Sequence, residues 1–112
     1  MDNEKINYYK IYNDTLLKDV IPFWVKNSID NENGGYFTCL DHIGKVFDTD
    51  KFIWLQARQI WMFSKLYNNY SADISKEDKE TWFKVAKIGA DFLNKYGSDE
   101  QGSFYFSLTK KG

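Results

Sequence analysis

Apolar residues return along the first quarter of this chain at three- and four-residue steps, the spacing of one helical face. The series runs from about Glu4 to Ile29. Its apolar members are Tyr9, Tyr12, Leu16, Val20 and Phe23. Pro22 lies inside the series, and a proline removes a backbone donor from a helix. We therefore predict a helix that is kinked at Pro22 or divided into two pieces.

A β-hairpin is predicted after this helix. The stretch DNENGG, Asp30 to Gly35, is rich in turn residues and should end the helix. Two runs of β type, YFTCL and KVF, then flank the four-residue turn DHIG, with Gly44 at its end. Two such runs around a short glycine-containing turn are typical of a hairpin.

A second helix is predicted from roughly Asp50 to Asn69, with Asp48 or Asp50 as its N-cap. Its first half, FIWLQARQIWMF, is apolar on every side although it carries Arg58. A helix without a polar face belongs inside a protein. Burying a guanidinium without partners is costly, so the arginine there requires an explanation.

The third predicted helix begins at Ser75 and Asp78, which form the Ser-x-x-Asp signature of a helix start. It runs to Tyr96 and ends at Gly97. Its buried stripe is predicted to be Trp82, Val85, Gly89, Phe92 and Tyr96. A glycine on that stripe indicates the close approach of a neighbouring segment.

A weak internal repeat links the hairpin region to the end of the chain. NENGGYFTCLDHIG, residues 31–44, aligns without gaps with DEQGSFYFSLTKKG, residues 99–112, and identical residues stand at 32/100, 34/102, 40/108 and 44/112. The repeating unit is two helices joined by a short hairpin, and the chain holds about one and a half units. Stacked helix pairs bury their apolar faces only against neighbours. We therefore interpret residues 1–112 as the N-terminal part of a longer protein.

Composition excludes several classes of protein. Hydrophobic residues make up 43% and aromatic residues 19% of the 112 residues, which excludes a disordered chain. A net charge of -1 offers no basic excess for nucleic acid. The start, MDNEKINYYK, lacks the apolar core of a signal peptide, and no apolar run is long enough for a bilayer. The single cysteine, Cys39, favours a reducing cytoplasm, and one His with one Cys predicts no metal site.

The chemistry that the sequence suggests is centred on Arg58. Trp54, Arg58, Trp61 and Lys65 form one stripe along the second helix, and Gln56 and Gln59 flank it. Flat aromatic walls, a cation and nearby amides suit a sugar, whose ring faces stack while its hydroxyls form hydrogen bonds. The alternative left open is packing alone, with Arg58 stacked on a tryptophan and paired with a carboxylate.

One stretch, GGYFTCLDHIGKVFDTDKFIWLQARQIWMFSKLYN from Gly34 to Asn68, resembles the N-acylglucosamine 2-epimerase family, which includes cellobiose 2-epimerases and renin-binding protein. Its Gly-Gly-aromatic hairpin, its CLD and its Trp-x-Gln-x-Arg-Gln-x-Trp helix are more similar to the N-acylglucosamine branch. DEQGSFYFSL resembles the next hairpin of the family. The resemblance implies an all-α protein, an (α/α)6 barrel or toroid of helix pairs joined by short β-hairpins, of which residues 1–112 form the N-terminal portion.

The resemblance also implies a reaction, the interconversion of N-acylglucosamine and N-acylmannosamine by removal and return of the C2 proton. Arg58 matches the active-site arginine of the family, which stabilises the anionic oxygen. Trp54, Gln56 and Trp61, with Tyr36 from the hairpin, are then predicted to bind the substrate. The proton-transferring histidines of the family lie beyond residue 112, and His42 falls in the predicted turn. The 112 residues alone are therefore expected to be inactive.

Other features of the protein stay open at this stage. No cofactor is expected, although family members respond to ATP-like nucleotides, so a nucleotide effector is an alternative. The expected partner is a small-molecule sugar, without nucleic acid or membrane, and a homo-oligomer is left open. Alternative functions are a cellobiose 2-epimerase or another aldose–ketose isomerase, or a non-catalytic interaction protein similar to renin-binding protein. A further alternative is a complete short chain that closes a ring by self-association.

Overall fold

The first helical stretch consists of two α-helices joined by a wider helical turn, in a computed structural model that describes residues 6–69 and 74–112. Its parts are α1 (Tyr8–Thr15), a π-helical segment (Leu16–Val20) and α2 (Ile21–Asn27). The N–H of Ile21 donates to the oxygen of Leu16, five residues back, just before Pro22 interrupts the donor series. The predicted division near Pro22 is confirmed; residues 4 and 5 of the prediction lie outside the described residues.

The predicted hairpin is present, with shorter strands than the sequence suggested. Strand β1 (Cys39–Leu40) pairs antiparallel with β2 (Val46–Asp48). In the turn, the N–H of Gly44 donates to the oxygen of Asp41 at 3.0 Å. Gly44 has φ +92°, a left-handed conformation that glycine adopts without a steric penalty.

The second long helix begins later than predicted. This helix, α3, spans Ile53–Asn69. It directly follows β3 (Lys51–Phe52), which lies beside β4 (Ser107–Leu108). The two strands pair antiparallel, and the N–H of Ile53 donates to the oxygen of Phe106 at 3.0 Å. The sequence prediction of a helix from Asp50 is wrong because residues 51–52 extend along a distant strand. The predicted N-caps are wrong too, since the Asp48 carboxylate accepts the N–H of Asp50 before β3 begins.

The last helix, α4, spans Lys76–Tyr96 as predicted. The hydroxyl of Ser75 accepts the N–H of Asp78 at 3.1 Å, which confirms the start signal. At the other end the N–H of Gly97 donates to the oxygen of Leu93 at 2.8 Å. Gly97 ends the helix with φ -71°, so it does not take the left-handed conformation common at such positions.

The core lies where α3 and α4 pack together over the segment before β1, residues 28–38. Its buried residues are Ile21, Tyr36, Phe63, Leu66, Trp82, Val85 and Ala86. The Tyr36 hydroxyl donates to the oxygen of Val85 at 2.6 Å. A Cβ at Gly89 would collide with the Tyr36 ring, so the predicted close approach at Gly89 is confirmed.

The internal repeat is visible in the backbone. Gly34 and Gly102, which the alignment pairs, both have φ +86°. Gly44 and Gly112 have φ +92° and +104°. Strands β1 and β4 also occupy aligned positions, residues 39–40 and 107–108. The two turns are therefore structural copies, as the sequence predicted.

Within the described ranges, no helix has the length and apolar character needed to cross a membrane.

Candidate functional site

One face of α3 presents the predicted stripe to solvent. Trp54 and Trp61 are 57% and 58% exposed, and Arg58 is exposed between them. With Ala57 they line an open pocket of about 360 Å³. The sequence predicted a helix buried on all sides, which is wrong for this chain. Only one face of α3 is buried, by packing on α2, α4 and the segment before β1, and its buried residues are Ile53, Gln56, Gln59, Phe63 and Leu66.

Arg58 is the only arginine of the sequence. Among residues 6–69 and 74–112 its guanidinium forms no ion pair and no hydrogen bond. The packing alternative required a carboxylate partner, and the described residues provide none. Farther along the stripe, the Lys65 ammonium lies 5.6 Å from the centre of the Trp61 ring.

Gln56 and Tyr36, both predicted to bind substrate, are instead bonded to each other. The N–H of Tyr36 donates to Oε1 of Gln56, and Nε2 of Gln56 donates to the oxygen of Tyr36, both at 2.8 Å. The amide thus serves as the partner that a buried extended backbone requires. Both residues are 0% exposed, so neither can contact a ligand in this structure. Burial also raises the pKa of the Tyr36 hydroxyl well above its ordinary value, which keeps it neutral.

Gln59, on the other flank of the stripe, also forms a hydrogen bond within the fold. Its Nε2 donates to the hydroxyl of Ser28 at 2.7 Å, and both side chains are buried. Like Gln56, it supports the segment behind α3. The amides that the sequence suggested as ligand contacts therefore hold α3 against its neighbours.

A second pocket, which the sequence did not indicate, lies on the other side of Arg58. It has a volume of about 280 Å³ and is lined by Trp24, Thr38, Leu55, Arg58, Gln59 and Met62. Trp24 comes from α2 and Thr38 from the segment before β1, so only the fold brings them to Arg58. No spacing rule within one helix could have found them. Arg58 thus borders two pockets at once.

A buried ion pair fixes the start of the helix that carries Arg58. Nζ of Lys51 lies 2.6 Å from a carboxylate oxygen of Asp30 and donates to the oxygens of Gly34 and Lys110 at 2.7 and 2.8 Å. The side chain of Lys51 is 0% exposed. All three ammonium donors are therefore satisfied, the condition under which a buried charge is tolerated. Sequence reasoning missed this residue.

The Asp30 carboxylate stays ionised in this pair. Burial alone would raise its pKa, but the hydrogen bond from Lys51, the N–H of Asn33, the Lys51 charge and the N–H of Glu32 outweigh burial. The net effect holds the pKa of Asp30 below its ordinary value. The ion pair and the turn that begins at Asp30 therefore support each other.

Proton-transferring and metal-binding groups are sparse in the described part of the chain. His42 lies exposed in the hairpin turn, as predicted. Cys39 is a free thiol in β1. Residues 6–69 and 74–112 contain no group of three or more His, Cys, Asp or Glu side chains placed to hold a metal ion.

Sequence comparison connects the chain to known proteins. The model of the family described as N-acylglucosamine 2-epimerase (GlcNAc 2-epimerase) matches residues 35–112. The N-acylglucosamine 2-epimerase of Mus musculus is 37% identical over 95 residues, covering 85% of this chain and 22% of that protein. That of Rattus norvegicus is 41% identical over 80 residues, covering 71% and 18%. The chain thus spans about a fifth of the length of these curated relatives.

Comparison with solved structures gives the fold. A cellobiose 2-epimerase from Bacillus thermoamylovorans matches with a TM-score of 0.77 and 29% identity, covering 94% of this chain and 26% of that one. A sugar epimerase from a ruminal bacterium matches with a TM-score of 0.75 and 27% identity, covering 92% and 25%. These neighbours are (α/α)6 barrels, so the helices and hairpins described above are a portion of that fold.

Proposed function

Since this chain belongs to the N-acylglucosamine 2-epimerase family, we propose that it supplies one wall of the active site of a sugar 2-epimerase. The substrates are N-acylglucosamine and N-acylmannosamine, which differ only in configuration at C2. The 112 residues are then the N-terminal portion of a larger (α/α)6 barrel, with about one and a half of its helix pairs. Proton transfer belongs to groups outside these residues.

The observation that carries this proposal is the unpaired Arg58 between two exposed tryptophans. Trp54 and Trp61 offer flat apolar faces to a sugar ring, and the guanidinium offers several N–H donors between them. If Arg58 were only structural, its position between two exposed tryptophans would add little to the stability of the fold. In an enzyme, the same cation can stabilise an oxygen that becomes negative only during the reaction.

The chemistry follows from the acidity of the hydrogen next to a carbonyl group. A base removes the C2 proton of the open-chain sugar, and the electron pair moves onto the C1 oxygen to give an enolate that keeps the N-acyl group on C2. Arg58 donates N–H groups to that oxygen and lowers the energy of the anion. An acid then returns a proton to C2 from the opposite face, which inverts the centre. Only a proton moves, so the step requires no redox or group-transfer cofactor.

The test is the epimerisation rate of N-acetylglucosamine in the protein that carries this chain. Replacing Arg58→Ala should lower kcat by roughly 10²- to 10³-fold, the usual effect of removing one donor to an oxyanion. Arg58→Lys should restore part of the rate, because it keeps the charge and loses the forked geometry. Lys84→Ala, an exposed cation on α4, is the control for charge alone. An Arg58→Ala variant as fast as the control would disprove the proposal.

A companion measurement isolates the contribution of the 112 residues. Proton NMR of N-acetylglucosamine in heavy water, with this chain alone, should show no loss of the C2 proton signal. His42 is the only histidine and lies in an exposed turn, so we propose that the chain has no base at its site. Loss of the signal would show that these residues supply their own base.

A cellobiose 2-epimerase is the second candidate, and one structural match favours it. The Bacillus thermoamylovorans enzyme matches at 29% identity, below the 37% and 41% of the two mammalian N-acylglucosamine 2-epimerases. We rank the N-acylglucosamine reaction first on that difference. Comparing kcat/KM for cellobiose and N-acetylglucosamine decides between the two substrates.

A further inference from the structure

We infer that Trp24 and Thr38 form a second part of the sugar site, in which the Thr38 hydroxyl binds a polar group of the substrate. This inference rests on the proposed sugar-binding role of Arg58 and assigns the contacts on its α2 side. It replaces Gln56 and Tyr36, which the fold uses internally, with two residues that share a pocket with the guanidinium.

The first support is the position of the pocket. Arg58 contributes to both pockets, so a ligand that bonds to its guanidinium can extend toward Trp54 and Trp61 on one side and toward Trp24 on the other. Leu55 and Met62 from α3 add apolar wall to the pocket on the α2 side. A half-buried indole among aliphatic side chains suits the C–H face of a sugar ring.

The second support is an unused polar atom. Oγ1 of Thr38 is buried and has no hydrogen-bond partner among residues 6–69 and 74–112, and it is the only buried side-chain nitrogen or oxygen there of which this is true. Buried polar groups are nearly always paired, because leaving one unpaired costs free energy. An exception in a pocket wall beside an unpaired arginine indicates a group reserved for a ligand.

Threonine can present that hydroxyl to the pocket by a simple rotation. Its Oγ1 and its methyl group occupy neighbouring staggered positions on Cβ, and rotation about the Cα–Cβ bond moves the hydroxyl to a different one. A hydroxyl both donates and accepts, so it can pair with a sugar hydroxyl in either direction. Gln59 also lines this pocket, and its Nε2 is already engaged by the hydroxyl of Ser28.

The experiment is a titration of the protein that carries this chain with N-acetylglucosamine, followed by ligand-observed proton NMR and tryptophan fluorescence. Thr38→Val replaces the hydroxyl with a methyl group of nearly the same size, and we expect Kd to rise roughly three- to tenfold, the value of one hydrogen bond. Thr38→Ser keeps a hydroxyl and should keep Kd within twofold. The thermal midpoint of Thr38→Val should stay level or rise, because an unpaired hydroxyl is removed from the interior.

The same titration with Trp24→Leu tests the apolar wall. We expect weaker binding than in the chain with Phe47→Leu, which truncates an exposed aromatic residue on β2 that borders neither pocket. Equal affinities of these two variants would remove Trp24 from the site.

Each outcome separates this inference from the proposed function. Unchanged affinity in Thr38→Val, or a thermal midpoint lowered by several degrees, would overturn the inference, the latter because it reveals a structural partner. If Arg58→Ala lowers kcat and Thr38→Val leaves Kd unchanged, the proposed function stands and the inference fails. If Thr38→Val weakens binding and Arg58→Ala leaves kcat unchanged, the role of Arg58 fails instead. Absence of sugar binding by the unaltered protein would overturn both.

Discussion

The Lys51 ammonium is an expensive group to bury, and its surroundings explain how the fold tolerates it. Asp30 supplies the opposite charge, and two backbone oxygens accept the remaining donors. The rings of Phe37 and Phe92 lie 5.1 and 4.6 Å from Nζ and exclude water. Removing one partner of such a pair leaves an uncompensated charge, whereas removing both leaves none.

Replacing Lys51→Met should therefore destabilise the chain strongly. We expect the free energy of unfolding to fall by roughly 3–5 kcal/mol, the usual result of breaking a buried ion pair from one side. Urea denaturation followed by circular dichroism measures the change. Lys84→Met, at an exposed position of α4, is the matched control and should stay within about 0.5 kcal/mol of the unaltered chain.

The double variant Lys51→Met with Asp30→Asn refines this test. It should be more stable than Lys51→Met alone, because the orphaned carboxylate is gone. Equal stability of the single and double variants would contradict the view that the unpaired Asp30 charge causes the loss.

At the level of single residues, the sequence predicted the element of a side chain correctly more often than it predicted whether that side chain is exposed. Trp54, Arg58 and Trp61 were expected to form one stripe, and they do. Gln56 was misassigned because a glutamine that bonds to a backbone and one that bonds to a ligand look identical in a sequence. The partner that distinguishes them, Tyr36, is 20 residues away. Arg58 as the catalytic group stays a prediction.

At the scale of elements, α4 passes close to Tyr36, and this contact explains Gly89. A helix interior normally favours alanine over glycine by about 1 kcal/mol. Here a methyl group would collide with the Tyr36 ring, whose hydroxyl is held by Val85. The preference for glycine is therefore a packing requirement that overrides helix propensity.

Gly89→Ala should lower stability despite the better propensity of alanine. We expect a loss of about 1–3 kcal/mol, the usual effect of overpacking a core, measured as a shift in the urea midpoint. Ala90→Gly, at the adjacent exposed position, is the control and should cost about 1 kcal/mol through propensity alone. A Gly89→Ala variant more stable than the unaltered chain would show that the ring can move aside.

Elements with local signals were predictable, and elements made by distant pairing were not. The limits of α4 followed from Ser75 and Gly97, which act within a few residues of themselves. Strand β3 was missed because its two residues take their extended form from β4, more than 50 positions later. Nothing in KF distinguishes a strand from the first residues of a helix.

The described part of the chain is more extended than a closed globule of similar length. Its radius of gyration is 16.4 Å, and its principal extents are 63 × 29 × 23 Å. A compact domain of this length would have a radius of gyration of about 13 Å. The elongated shape leaves large apolar side chains at the surface, among them Trp54, Trp61, Phe83, Phe104 and Phe106. Such surfaces usually mark contacts with other protein segments.

We therefore expect the chain to self-associate when it is produced alone. Light scattering should give an apparent mass that rises with protein concentration, because exposed aromatic faces of α3 and the segment before β4 can cover one another. Replacing both Phe104 and Phe106 with serine should reduce the effect. A monomer mass at every concentration would contradict this expectation and show that the exposed aromatic side chains do not drive association.

The carbonyl of Lys110 has a consequence for the order in which the protein matures during synthesis. It is the last of the three Lys51 acceptors to be made, 59 positions after the lysine itself. Until translation has passed that point, the nascent chain cannot give the ammonium its full set of partners. The turn that begins at Asp30 can form early, but the bond from Lys51 to Lys110 requires the turn at residues 109–112. The buried ion pair of Lys51 and Asp30 thus obtains its complete set of hydrogen bonds only after a residue near the end of the described sequence has been synthesised.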